Sequence, residues 1–478
     1  MRHLLLFFLG LTATLFAFFY AAFSYRLATN TLDTENIYKS EYHSNFDEQN
    51  KVLLIGTGCW VILSSAYLNS NTGEVAVGGY PARADGLINV LSRKHYDLDK
   101  TFYLYGWKPS GDLETHTVSI FRALQEKNVR ALVYTNAPGG LQTFIELEAN
   151  LGVAPVLEQI VEQYPQAAPF AATYLDALRK SVGYRLAKTK MAIETPRELC
   201  KSVAASLEPG RSFKGIFAAF DRPPTPPAAQ QSGGNSATAY PPITPEAYEA
   251  LLARHADDFD RVLETSLQTY GKDGSPSFPF RPMLPAKEFW SCSAGVFDVW
   301  LRMVLSMARQ KNVAFVYYIP PHLQVEESQR DMFHENYTAR VAKILSEFDN
   351  AVLVDHSNLP GFNSCDLAPI RRVETAPLRF RVIYWHTGYI FNLIGKIKTM
   401  RHLLAALGDA GVVKARRGSP KAPLPVEATL RCPPAQGRSY VYDFPEESMQ
   451  PQIQTLSAPL DNSNYGDYLC KVVKLFTP

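Results

Sequence analysis

The chain has 478 residues and a formal net charge of +2, a near-balance that removes any electrostatic case for a nucleic-acid partner or a strongly acidic one. A hydrophobic content of 46% suffices for a large buried core, while 33 prolines imply many interruptions between elements. One large domain or two modest ones would satisfy both.

Leu4 to Phe23 is an unbroken run of 20 apolar and small residues between Arg2 and Arg26. At about 1.5 Å per helical residue it can cross the hydrocarbon core of a bilayer. The alternative is a cleaved signal peptide, with Tyr20-Ala21-Ala22 as an indifferent processing site; such apolar regions are usually shorter. The length favours a membrane anchor over residues 1–27, and either reading exports the rest of the chain. No later run approaches a spanning length, so a single-pass protein is expected, its bulk extracytoplasmic. Residues 28–50 are polar and mixed in charge, as suits a stalk.

The ordered pattern begins at Lys51. Val52 to Ile55 is a short apolar run that stops at Gly56-Thr57-Gly58, the signature of a strand buried on both faces. Glu74 to Gly78 reads as a second strand, Ala84 to Lys94 as a helix, Thr101 to Tyr105 as a strand, Thr117 to Lys127 as an amphipathic helix and Val129 to Tyr134 as a strand. The last of these ends at Asn136-Ala137-Pro138-Gly139-Gly140, a loop by composition. The alternation then breaks for a helical insertion over 141–285, dense in Ala, Leu and Gln from Val153 to Ser206. It also contains a Pro/Ser/Gly-rich loop at 222–245 and a further helical pattern from Thr244 to Tyr270.

Beyond the insertion, Ala286 to Gln310 reads as a helix whose apolar residues fall at three- and four-residue spacing. Val313 to Ile319 is a strand ending at Pro320-Pro321-His322, Glu326 to Phe348 a helix, and Ala351 to Val354 a strand ending at Asp355-His356-Ser357. Phe380 to Trp385 reads as one more strand, with His386 and an apolar helix to about Leu407 after it. Residues 411–478 form a Pro-, Arg- and Ser-rich tail with no functional reading. The expected fold is therefore α/β, a three-layer α/β/α arrangement around a mainly parallel sheet, built from 51–140 and 286–410. In such sheets function gathers at the carboxyl ends of strands, where Gly56, Asn136, His322 and His356 all fall.

Gly56-Thr57-Gly58 first suggests a dinucleotide site, but the third glycine of that fingerprint would be Val61 and its acidic residue is missing. Cys59, Cys200, Cys292, Cys365, Cys432 and Cys470 contain no C-x-x-C pair, which argues against a zinc ribbon or a thioredoxin-like site and leaves disulfide pairing open. Asn336-Tyr337-Thr338 matches a glycosylation sequon and is read as chance. No cofactor or metal is implied.

The order of parts resembles the SGNH-hydrolase superfamily, in particular its membrane-anchored branch found beside membrane-bound O-acyltransferases in envelope polysaccharide acylation. Lys51 to Trp60 is similar to that family's first block, and Val75 to Tyr80 to its second, with Gly79 as the oxyanion-hole glycine. Ala131 to Gly139 is similar to the third, with Asn136 as an oxyanion donor. Met307 to His322 gives the closest match, and His386 stands where the family places its catalytic histidine. The resemblance implies a glycan or acylated-glycan substrate and a membrane-bound O-acyltransferase as partner. Two positions depart from the pattern. The nucleophilic serine is replaced by Gly58, and Ile383 stands where the acid should be, three residues before His386.

Acyl chemistry by this plan needs a hydroxyl or thiol nucleophile, a base and an orienting acid. Cys59, next to the turn, is the substitute nucleophile to test, although a packed, inert cysteine is the commoner role for such a residue. Ser64 and Ser65 are further alternatives. His322, Asp355 and His356 are cleft candidates that could join His386 as ligands of a water-activating metal, with satisfied histidines the plainer reading. Three functional classes follow. The chain is an SGNH-like protein that modifies or binds surface polysaccharide, active or catalytically degenerate; or a type II membrane glycosyltransferase; or an envelope assembly protein. Asp97-Leu98-Asp99, an acidic pair with the spacing a glycosyltransferase could use for a metal, precedes a strand and reads as a solvated turn.

Overall fold

The computed structural model describes residues 50–56, 86–92, 98–105, 113–135, 147–206, 287–321, 337–357, 359–362, 366–376, 379–391 and 393–414, with residues 12, 14, 16–24, 66–68, 75–77, 263–264 and 267–268. Five strands build an all-parallel sheet: β1 (Lys51–Gly56), β4 (Thr101–Leu104), β5 (Val129–Thr135), β6 (Ala314–Ile319) and β7 (Ala351–Asp355). Their spatial order is β4-β1-β5-β6-β7. Every residue of β1 is buried, and in β5 only Arg130 is exposed. This double-sided burial is what their continuous apolar runs predicted.

Helices cover both faces. On one, α2 (Leu113–Ala123), α6 (Lys287–Gln310) and α7 (Ala339–Leu345) pack on β1, β6 and β7 respectively. On the other lie α1 (Gly86–Leu91) and α8 (Leu393–Asp409). The edge strand β4 is blunted by a side chain. The amide of Asn89 in α1 donates to the Phe102 carbonyl at 2.7 Å and accepts from the Phe102 N–H at 2.9 Å, replacing the neighbouring strand that an edge lacks.

The helices α3 (Leu147–Gln163), α4 (Ala168–Lys180) and α5 (Val182–Ser206) of the insertion form an additional layer behind α2 and α6. They share the core of the sheet: Val153, Leu157, Ile160, Tyr174 and Leu178 belong to the same apolar cluster as Leu53, Leu132 and Val316. This layer changes the reading of α2. Its pattern suggested an amphipathic surface helix, yet all of its residues except Arg122 are buried, Glu114 and His116 included. The polar groups on its outer side meet protein instead of water: Tyr174 of α4 donates to Glu114 at 2.5 Å, and the Trp300 indole of α6 donates to Thr117 at 2.9 Å.

Two expected strands are not part of the main sheet. The second, seen as β3 (Val75–Val77), pairs antiparallel with β2 (Ala66–Leu68) in a separate ribbon. The last, expected at Phe380 to Trp385, is longer, β9 (Arg379–Phe391), and pairs antiparallel with β8 (Leu367–Ala376). Two residues connect β8 to β9, and a connection that short closes a hairpin, whereas a parallel partner needs a crossover of a dozen residues or more. β8 escaped sequence reading because Pro369, Arg371, Arg372 and Glu374 give it the polarity of a loop.

At the amino terminus, residues 16–24 are helical, and Phe23 packs on Leu151 of α3 and on Ala187 and Met191 of α5. Among the described residues no helix is long and apolar enough to cross a membrane; most of Leu4 to Leu15, the first part of the apolar run, lies outside them.

The segment after β7 is fixed to α8 by a buried ion pair. Lys398 reaches both oxygens of Asp366, at 2.9 and 3.1 Å, and the Gly361 carbonyl at 2.9 Å, while neither charged side chain is more than 4% exposed. Removing one partner strands the other charge, so Lys398→Met is expected to cost about 3–5 kcal/mol in a denaturant titration. The double variant Lys398→Met with Asp366→Leu should recover most of that loss.

Candidate functional site

The sheet order makes the chain leave β1 for β4 on one side and return to β5 on the other, so its connections diverge between β1 and β5. In open α/β sheets the crevice above that divergence, at the carboxyl ends of the strands, is where ligands bind. Gly56 closes β1 at this point with φ of +133°, a conformation that favours glycine. A methyl group on its Cα would lie 1.8 Å from the Thr135 carbonyl oxygen. The β1 end is thus drawn against the β5 end more tightly than any side chain allows. Thr135 is fully buried, and its hydroxyl has no hydrogen-bond partner among the described residues.

Thr57, Gly58 and Cys59 follow directly in sequence from this close approach, and Asn136 follows Thr135. Gly58, Cys59, Gly79, Asn136 and His322 all lie outside the described residues. His386 is described in its backbone: it sits within β9 opposite Pro369, and not between a strand and α8 as its sequence context suggested. Its strand belongs to the hairpin and not to the five-stranded sheet.

A second locus stands at the ends of β6 and β7. Asp355 pairs with Ile319 in register, and the His356 N–H continues the ladder to the Ile319 carbonyl at 2.8 Å. The Asp355 carboxylate then accepts the Ser357 N–H at 2.9 Å, a local turn that ends the strand. The His356 ring stands edge-on to Tyr318 at 5.4 Å and to His402 of α8 at 5.9 Å between centroids. Burial and the neighbouring His402 together push its pKa down to about 4, against a smaller opposing pull from Asp355. His356 is therefore neutral at physiological pH, with a buried Nδ1 that has no hydrogen-bond partner among the described residues. His402 and Tyr318 could not be singled out beforehand; each sits on an element whose sequence pattern reported only packing.

The two loci share an edge of the sheet but not a contact. Gly56 and His356 end strands separated by β5 and β6, three inter-strand spacings and hence roughly 14 Å. A proton cannot pass directly between groups that far apart. His356 is accordingly too far from Gly56 for direct proton exchange with a group at that strand end, and among the described residues no group of three His, Cys, Asp or Glu side chains could hold a metal ion.

Beneath the edge, on the face covered by α2 and α6, lies a buried polar network. The Tyr134 hydroxyl is 2.7 Å from His116 Nδ1, and the Tyr317 and Tyr337 hydroxyls are 2.5 Å apart. The Tyr134 and Tyr317 rings meet at 5.3 Å. Burial holds both Tyr317 and Tyr337 neutral by raising their pKa values well above the ordinary phenol range. These pairs are sealed from the edge and act as hydrogen-bonded core.

No family model matches the chain, and neither a curated protein nor a solved structure does. The site therefore rests on its geometry.

The histidine locus makes stability depend on pH in a defined direction. The unfolded chain protonates His356 near pH 6.5, the fold only near pH 4, so the unfolded state binds more protons between those values. Stability contributed by neutral His356 is complete above about pH 6.5 and falls as the pH drops toward 4. Chemical denaturation across this window should show that loss in the wild type and a flatter profile in His356→Gln.

Proposed function

We propose that the chain is a membrane-anchored, extracytoplasmic SGNH-like protein that engages acyl esters of cell-surface polysaccharide in the crevice above β1 and β5. The observation that supports it is the close approach of Gly56 to Thr135. The described parts of the first and third sequence blocks of the resemblance, Lys51 to Gly56 and Ala131 to Thr135, are neighbouring parallel strands whose carboxyl ends meet, as this reading requires. The strand order is the flavodoxin-like one, in which that position is the ligand crevice. Within this reading Asn136 and Gly79 donate to the acyl oxygen, and Cys59 is the nucleophile that attacks it, with Ser64 and Ser65 as alternatives. His386 would have to reach Cys59 from the hairpin to serve as its base.

The pair Asp97-Leu98-Asp99 gives the glycosyltransferase alternative no support. Asp99 exchanges hydrogen bonds with Lys414, its N–H to the Lys414 carbonyl and its carboxylate from the Lys414 N–H, both at 2.8 Å, and also pairs with Lys100. A carboxylate that ties two segments together is poorly placed to hold a nucleotide-bound metal.

The reading is tested with the full chain in detergent or vesicles, using a chromogenic acetyl ester and acetylated and deacetylated polysaccharide. An active enzyme should lose on the order of 10³ in rate with Cys59→Ala. A degenerate binding protein should show background hydrolysis but prefer the acetylated polymer, and Asn136→Ala should weaken that preference about tenfold, the worth of one hydrogen bond. Absence of both hydrolysis and acetyl preference would sink the reading.

A further inference from the structure

The described residues expose large apolar side chains on two elements only. Phe16, Phe18 and Tyr20 stand out from the amino-terminal helical residues, and Leu186 and Ile193 from α5. These elements touch, since Phe23 packs on Ala187 and Met191 of α5. Leu186 and Ile193 are seven residues apart and so share one helix face. The exposed residues of α5 between and beside them include Arg185, Lys188, Thr189 and Lys190, with Lys188 on the far flank of the exposed side, and the half-buried Glu194 lies at 4.0 Å from Lys190.

Large apolar groups standing out from a helix that also exposes lysines and arginines suit a local contact with a membrane surface, apolar groups reaching the acyl boundary and basic heads at the phosphates. Single exposed apolar residues mean little in themselves. Here they adjoin the end of the longest apolar run in the chain, at the point where that run would leave the bilayer.

We infer that α5 is a second, peripheral membrane contact, its Leu186–Ile193 face lying on an anionic lipid surface beside the amino-terminal anchor. This rests on the anchored reading given above and extends it. The contact would fix how the domain stands on the bilayer, adding a second point of attachment to the amino-terminal span. Since α5 packs on α3, and α3 on α2 beneath β1, the helical insertion would then be the membrane-facing side of the domain.

The test places a fluorescent dansyl amino acid at position 16, 193 or 127 of the full chain. Each protein is reconstituted in vesicles of phosphatidylcholine alone or mixed with phosphatidylglycerol, and quenching by lipids brominated in their acyl chains is measured. Position 127 is an exposed site between α2 and β5 and serves as control. The expected result is strong quenching at 16 in both lipids. At 193, quenching several-fold above that at 127 is expected in the anionic mixture, collapsing in Lys188→Glu/Lys190→Glu while that at 16 persists. Strong quenching at 16 with none above control at 193 overturns the α5 contact and leaves the anchor standing. Equal quenching at 193 in both lipids overturns the anionic part. No quenching at 16 removes the anchor itself, and the inference with it.

Discussion

Where β1 ends, the backbone at Gly56 lies so close to the Thr135 carbonyl that a single methyl group has no place. Much else is arranged around that contact. It keeps β1 and β5 parallel and in register to their final residues. It also sets the start of the following turn beside the start of the loop after β5, so two segments distant in sequence emerge at one point. A bulkier residue would separate the strand ends and dissolve the crevice that ligand binding in such sheets requires.

The sheet was legible because its inner strands are buried on both faces, and such strands leave uninterrupted apolar runs bounded by turn residues; the half-buried edge strand β7 still carries a short apolar run that stops at Asp355. Val52 to Ile55, Val129 to Tyr134, Val313 to Ile319 and Ala351 to Val354 each fell within a residue or two of the observed strand. The hairpin was not legible in the same way. β8 mixes charge and proline, so its composition does not announce a strand. The environment of α2 was hidden for a different reason. Its polar residues Glu114, His116 and Thr117 look solvent-facing until Tyr174, Tyr134 and Trp300 arrive from elsewhere in the chain to satisfy them.

The candidate site was legible by position and only partly by role. Strand ends are marked in sequence, so Gly56, Asp355 and His356 were found where they stand. What those groups do depends on neighbours that spacing does not specify. His356 looks like an available base or ligand on paper; in the fold it is wedged between Tyr318 and His402, and desolvation keeps its proton off. The separation of the histidine locus from the β1 turn likewise follows from strand order, which apolar runs do not encode.

The hydrogen bond from Trp300 to Thr117 joins residues 183 positions apart. The strands β1, β4 and β5 are made early, yet the helix that completes one side of their core is synthesised only after the whole insertion. A nascent chain must therefore hold an exposed apolar half-sheet, with the Thr117 oxygen of α2 still lacking its Trp300 donor, until α6 arrives. Long-range closure of this kind slows folding and prolongs exposure of sticky intermediates. A chain threaded across a membrane in the same order would meet that interval on the far side, where protection has to come from the holdases of that compartment or from the insertion helices settling temporarily on the unfinished core.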